Sequence, residues 1–178
     1  IADNKYTTNT DQQREIYSNG FFMTNMVSIG SSTEKTRFYA SFNNNKQSGV
    51  IKLLEGYTRQ NIRLNIEHDI SDKLTFKASN TFVISNSDSP DQGSGSNFYS
   101  ALFMPPDVDL SADNDDGTPF KWDVAEPASL ERNPLYNYNN NKRTTKRNRF
   151  LGSYGLEYRP VDWLRFEGAY TLDRTNGF

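Results

Sequence analysis

The chain has 178 residues, no cysteine, one histidine, and 20 Lys and Arg against 22 Asp and Glu. The length suits one ordinary domain, and the missing thiols exclude a disulfide framework, thiol catalysis and Cys-based zinc sites. Balanced charge gives no footing for nucleic acid or a polybasic membrane contact. Aliphatic residues are sparse, whereas aromatics, Asn, Ser and Thr are plentiful. A soluble domain of this size buries roughly two-thirds of its unfolded surface, which takes more Leu, Ile and Val than this. Either much of the chain is loop, or its apolar side chains do something other than fill a core. No apolar run approaches the roughly 18 residues of a transmembrane helix. No charged-then-apolar leader is present, so any secretion signal is expected outside these residues.

In chain order, the first strand is expected near 21–30, with Met23, Val27 and Ile29 on one side. A tight turn at 30–33 leads to a second strand near 34–44. There Phe38, Ala40 and Phe42 alternate with Arg37, Tyr39, Ser41 and Asn43. A long connection near 44–57 follows. In the third strand, near 58–68, Ile62, Leu64 and Ile66 oppose Asn61, Arg63, Asn65 and Glu67. A short polar turn leads to the fourth strand near 73–85. It carries Leu74, Phe76, Ala78, Phe82 and Ile84 against Thr75, Lys77, Ser79 and Thr81. A very long connection near 86–145 precedes a fifth strand near 146–158 and, after a turn at 159–162, a sixth near 163–174. Phe150, Tyr154, Leu156 and Tyr158 share one side of the fifth; Leu164, Phe166, Tyr170 and Leu172 share one side of the sixth. Period two over such lengths means strand, because successive side chains point to opposite faces. The reading is all-β: about six antiparallel strands in three hairpins, with no convincing amphipathic helix.

Short and long connections alternate strictly. Outer-membrane barrels have short periplasmic turns and long extracellular loops, so the rhythm fits a barrel segment. A polar side with Arg63, Glu67, Lys77, Arg165 and Glu167 would then line a wet lumen. Phe42, Phe82, Tyr158 and Trp163, near strand ends, would form interfacial girdles. Periodicity alone equally allows a half-buried soluble sheet. Six strands cannot close a membrane barrel, whose single-chain bacterial forms begin at about eight, so the barrel reading requires further strands.

Two stretches carry a family resemblance. DQQREIYSNGFFMTNMVSIGSSTEKTRFYASF, followed by QSGVIKLLEGYTRQNIRLNIEHDISDKLTFKASNTF, resembles the early barrel of the SusC/RagA group. These are TonB-dependent transporters of the Bacteroidetes outer membrane. The matching residues include Tyr17 and Gly20, Ser28 and Gly30, Glu34-Lys35-Thr36, Tyr39 with Ser41, and Gln47-Ser48-Gly49-Val50-Ile51. They continue with Arg59, Asn61, Arg63, Asn65 and Ile70-Ser71-Asp72-Lys73-Leu74. NPLYNYNNNKRTTKRNRFLGSYGLEYRPVDWLRFEGAY is similar to the family's following hairpin, through Asn133-Pro134, the residues 147–152 and Asp162-Trp163-Leu164. Two places depart from it: Gly30-Ser31, where the family often has two glycines, and Asn43-Asn44-Asn45-Lys46-Gln47, where it has an aromatic-rich phrase.

The resemblance implies an antiparallel transmembrane β-barrel segment of a larger plugged barrel. It implies an importer of oligosaccharides, glycan fragments or peptides, working with a SusD/RagB-like surface lipoprotein and an inner-membrane TonB complex. The plug and the TonB-contact segment are expected outside residues 1–178. Outer-membrane lipid and lipopolysaccharide would be the other partners.

Chemistry is sparsely indicated, and neither an enzyme nor a cofactor is expected. His68 stands at a strand end with no Cys and no evident triad partner, which reads as a surface or interface histidine. Asp113-Asn114-Asp115-Asp116-Gly117 has the alternating oxygens of a calcium loop, but Val124 stands where an EF-hand needs Glu. Asp113 and Asp115 are thus weak calcium candidates beside the plainer reading of an exposed turn. Phe98, Tyr99, Phe103, Trp122, Tyr136 and Tyr138 lie in the long connection. Of these, Phe98, Tyr99, Trp122, Tyr136 and Tyr138 are candidate ligand contacts, the alternative being that they pack the loop. Lys142, Arg143, Lys146, Arg147 and Arg149 form a basic run suited to lipopolysaccharide phosphates or simply to a solvated strand end. Two other functional classes remain open: a secreted β-sandwich that binds carbohydrate, and an adhesin or structural barrel without transport.

Overall fold

The computed structural model describes residues 10–90, 97–123 and 132–178, the side chains of 97–99 excepted. It contains a six-stranded sheet: β1 (Phe22–Ser32), β2 (Thr36–Gln47), β3 (Tyr57–Ser71), β4 (Leu74–Pro90), β5 (Lys142–Val161) and β6 (Leu164–Gly177). The strands lie side by side in sequence order. Register fixes the faces: Val27 is opposite Phe42, Phe42 opposite Ile62 and Ile62 opposite Phe82. Contacts pairing residue 73 with 159, 77 with 157, 80 with 154 and 85 with 147 show that β5 runs antiparallel to β4.

Three hairpins close through turns of two or three residues. In the first, the Thr36 amide donates to Thr33 Oγ1 at 3.0 Å and the Thr33 amide to the Thr36 carbonyl at 2.8 Å, a turn built by threonine side chains. The other two are the dipeptides Asp72-Lys73 and Asp162-Trp163, each with a register shift beside it.

Two expectations are corrected here. Gly30 and Ser31 do not turn the chain; they continue the ladder opposite Tyr39 and Phe38. Residues 45–47, expected in the long connection, are strand as well, because β1 and β3 both pair with them and Asn45 Nδ2 donates to Thr24 Oγ1 at 3.0 Å. Pairing from both sides overrides the low strand propensity of asparagine.

A second compact unit comprises residues 10–21, 48–56 and 88–144. Its segments precede β1, join β2 to β3 and join β4 to β5. It contains three short helices where none was expected: α1 (Gln12–Ile16), α2 (Asn97–Phe103) and α3 (Pro134–Asn140). The principal buried apolar cluster of the described residues lies in this unit: Ile16, Ala101, Met104, Leu110, Leu135 and Tyr138. Polar anchors hold it. Asn133 is fully buried; its Nδ2 donates to the Leu110 and Lys121 carbonyls at 2.9 Å each, and its Oδ1 caps α3 through the Leu135 amide. Gln12 Nε2 ties the Pro105 and Val108 carbonyls at 2.8 Å.

Candidate functional site: a polar sheet face

The two faces of the sheet differ sharply. Val27, Ile29, Phe42, Ile62, Leu64, Ile66, Phe82, Leu156, Tyr158, Phe166 and Tyr170 lie on one face. All are substantially exposed, Val27 at 70% and Ile29 at 65%. An uncovered apolar surface this extensive is foreign to a monomer in water. A β-sandwich would need a second sheet packed on this face, and the described strands all belong to one sheet. Its one amide at mid-face, Asn80, is satisfied locally: Tyr154 Oη donates to Asn80 Oδ1 at 2.7 Å.

The other face is polar and charged. The same register puts Arg37, Arg63, Glu67 and Lys77 there, with Glu157, Arg165 and Glu167 across β5 and β6. Toward the short turns, ion pairs gather on Glu157, Glu67 and Glu167. The Glu157 side chain, only 7% exposed, meets Lys77 Nζ at 2.9 Å, Arg159 at 2.6 Å and Arg165 at 3.0 Å. Arg165 also reaches Glu167 at 2.8 Å, and Arg37 reaches Glu67 at 3.7 Å. Four cations thus share three carboxylates. Farther along, toward the ends joined by the long connections, the balance changes. A cleft of about 480 Å³ carries Arg59, Arg63, Arg147 and Arg149, and among the described residues only Arg149 has a carboxylate, forked onto Asp173 at 3.0 and 2.6 Å.

The remaining candidates scatter. His68 accepts or donates a 2.7 Å bond with Thr36 Oγ1 beside a turn. Trp122 packs edge-on against Tyr136 at 4.9 Å, with the Arg132 guanidinium 5.9 Å from the indole centroid. Tyr138 is corrected from a presented aromatic to a core residue: it is 3% exposed, and burial pushes its hydroxyl well above the usual phenol range. The side chains of Phe98 and Tyr99 lie outside the described residues. Asp115 approaches Lys121 at 3.9 Å, and Asp116 accepts from the Thr118 amide and hydroxyl; Gly117 completes the turn at φ +80°. No group of three candidate metal ligands converges among the described residues. In the basic run, Arg147 and Arg149 lie on the polar face, which the run itself did not reveal; strand parity could have.

With that geometry in view, similarity to known proteins is informative. The chain is 31% identical over 155 residues to TonB-dependent receptor P26 of Formosa agariphila, covering 84% of this chain and 14% of that protein. The structure of the RagAB peptide transporter superposes with a TM-score of 0.71 at 19% identity, over 95% of this chain and 19% of that one. The RagAB peptide importer in the closed-closed state gives 0.69 at 18% identity, with the same coverage. No family model matches the chain. In sequence the chain is similar to a TonB-dependent receptor, and in fold to the RagAB barrel. Its fold is a six-stranded piece of SusC/RagA-like barrel wall, and the chain spans 14% of the length of the curated relative.

Proposed function

We propose that the intact protein is a TonB-dependent importer of the outer membrane, taking up oligosaccharides, glycan fragments or peptides with a SusD/RagB-like lipoprotein over its mouth. Its energy comes from a TonB complex that engages parts of the protein other than these strands. The supporting observation is the asymmetry of the sheet. One face is a continuous uncovered apolar surface and the other carries matched and unmatched charge, as a wall between lipid and a wet lumen requires. In this reading Ile62, Leu64 and Ile66 face lipid, and Arg63, Glu67, Lys77, Arg165 and Glu167 face the lumen. Open edges are not viable in lipid, so β1 and β6 pair with further strands of the barrel. The connections from β2 to β3 and from β4 to β5 lie outside, where Trp122 and Tyr136 are available to solute or lid. The chain contributes walls and recognition, and no chemistry.

Adjacent residues test the orientation. These residues contain no cysteine, so Leu64→Cys and Arg63→Cys can be introduced singly into the intact protein, with any cysteine elsewhere replaced, and labelled in reconstituted vesicles. A fluorophore at position 64 should be quenched by brominated lipid, and one at 63 by aqueous iodide. Equal iodide quenching at both sites would overturn the wall assignment. Transport itself predicts that solute uptake stops when the TonB motor is deleted.

A further inference from the structure

The arginine cleft is built differently from the rest of the polar face. Arg59 lies opposite Ser85, and Ser85 Oγ donates to the Arg147 carbonyl, so Arg59, Ser85 and Arg147 form one row across three strands. Arg63, opposite Thr81, stands four residues farther along β3, about 13 Å at the usual strand rise. Around Glu157, Lys77, Arg159 and Arg165 each have a carboxylate; here, among the described residues, Arg59, Arg63 and Arg147 form no ion pair. Arg59 Nε donates only to Asn61 Oδ1, at 3.2 Å. Clustered cations repel one another, and a low-dielectric wall strengthens that repulsion. The cluster is all arginine, the side chain whose planar fork matches carboxylate and sulfate two bonds at a time.

We propose that this cleft binds the oxyanion groups, carboxylate or sulfate, of an acidic solute on its way through the barrel. The inference rests on the transport reading and adds a substrate property to it: charge. The spacing of the arginines favours an extended solute carrying more than one oxyanion. Lipopolysaccharide phosphate is a poorer occupant, because Arg147 and Arg149 share the polar face with Arg63 and not the apolar face with Leu64.

The test is calorimetric titration of the intact protein with four probes: hexaglutamate, hexaglutamine, an oligogalacturonate and its methyl ester. The proposal expects at least one acidic probe to bind about tenfold or more tighter than its neutral partner, with the preference shrinking at about 0.3 M salt. Which acidic probe is preferred identifies the source, peptide or uronide. R63Q/R147Q should abolish the preference, so that acidic and neutral probes bind alike, while R63K/R147K, keeping charge without the fork, should fall between. Equal binding of acidic and neutral probes overturns the oxyanion assignment and leaves transport standing. A variant that melts at lower temperature with unaltered acidic binding assigns the arginines to an ion pair inside the protein and also overturns it. Failure of all four probes to bind, together with uptake indifferent to the TonB motor, overturns both readings.

Discussion

Asn133 shows how much one side chain holds in the helical unit. Its amide serves two carbonyls from distant segments, and its carbonyl caps α3. Truncation strands groups that no water reaches at this fully buried site, each worth about 1–3 kcal/mol, besides the loss of a cap worth about 1 kcal/mol. Asn133→Ala is therefore expected to speed protease cleavage within 97–140 in the intact protein, with the strands unaffected. Asn133→Asp, which keeps the cap but sets a buried carboxylate oxygen against both carbonyls, should be at least as damaging. The aspartates nearby add a pH dependence. Hydrogen bonds from Ser111 hold the Asp109 carboxyl below its ordinary range, and bonds from Thr118 do the same for Asp116. A carboxylate lowered on folding contributes stability that is present above the unfolded carboxylate range. That contribution is lost as pH falls through the lowered folded values. Amide exchange across 109–118 should accordingly accelerate as pH drops from 5 toward 2, after correction for intrinsic chemistry. Asp109→Asn with Asp116→Asn should flatten that response.

At the level of elements, legibility followed the range of the interactions. Alternation is a local signal, so the three hairpins and the division of side chains between two faces could be read from residue order. What escaped depends on partners distant in the chain. Residues 45–47 are strand because β1 and β3 flank them. Helices of five to seven residues, such as α1 and α3, show too little periodicity to detect and are held by packing. For α3 a signal was nevertheless present in Asn133-Pro134, an N-cap followed by proline in the first turn. Tyr138 and Trp122 could not be told apart, since core and surface positions differ only in tertiary surroundings. The Tyr154–Asn80 pair links β5 to β4 on the apolar face, and it tests that face directly. In the proposed wall, Tyr154→Phe leaves the Asn80 amide without its partner in hydrocarbon, a loss of about 0.6–2 kcal/mol on the scale of polar pairs in membranes. Urea unfolding in lipid vesicles should register that loss. Adding Asn80→Val should recover it, whereas a solvated face would show neither the loss nor the rescue.

For the whole molecule, the decisive comparison is where the burial lies. The helical unit has an apolar core of its own, while the sheet exposes its aliphatic and aromatic residues on one side and gathers its charges on the other. Such a sheet is unstable in water and stable only where a second apolar phase replaces the missing core, which a bilayer supplies. The argument has a quantitative consequence at two neighbouring positions of β3. Leu64 lies opposite Ala40 and Asn80 on the apolar face, and Asn65 lies opposite Tyr39 and Ser79 on the polar face. In the proposed wall, arginine introduced at 64 enters hydrocarbon, at a cost of about 2–4 kcal/mol at the bilayer midplane and less near the interfaces. Arginine at 65 projects into water and should cost little. Folding of Leu64→Arg into vesicles should therefore fall steeply as the lipid chains lengthen, since thicker bilayers place the charge farther from either surface. Asn65→Arg should fold with the yield of the parent at every chain length. Equal yields for the two variants would mean that the face carrying Ile62, Leu64 and Ile66 is covered by protein and not by lipid.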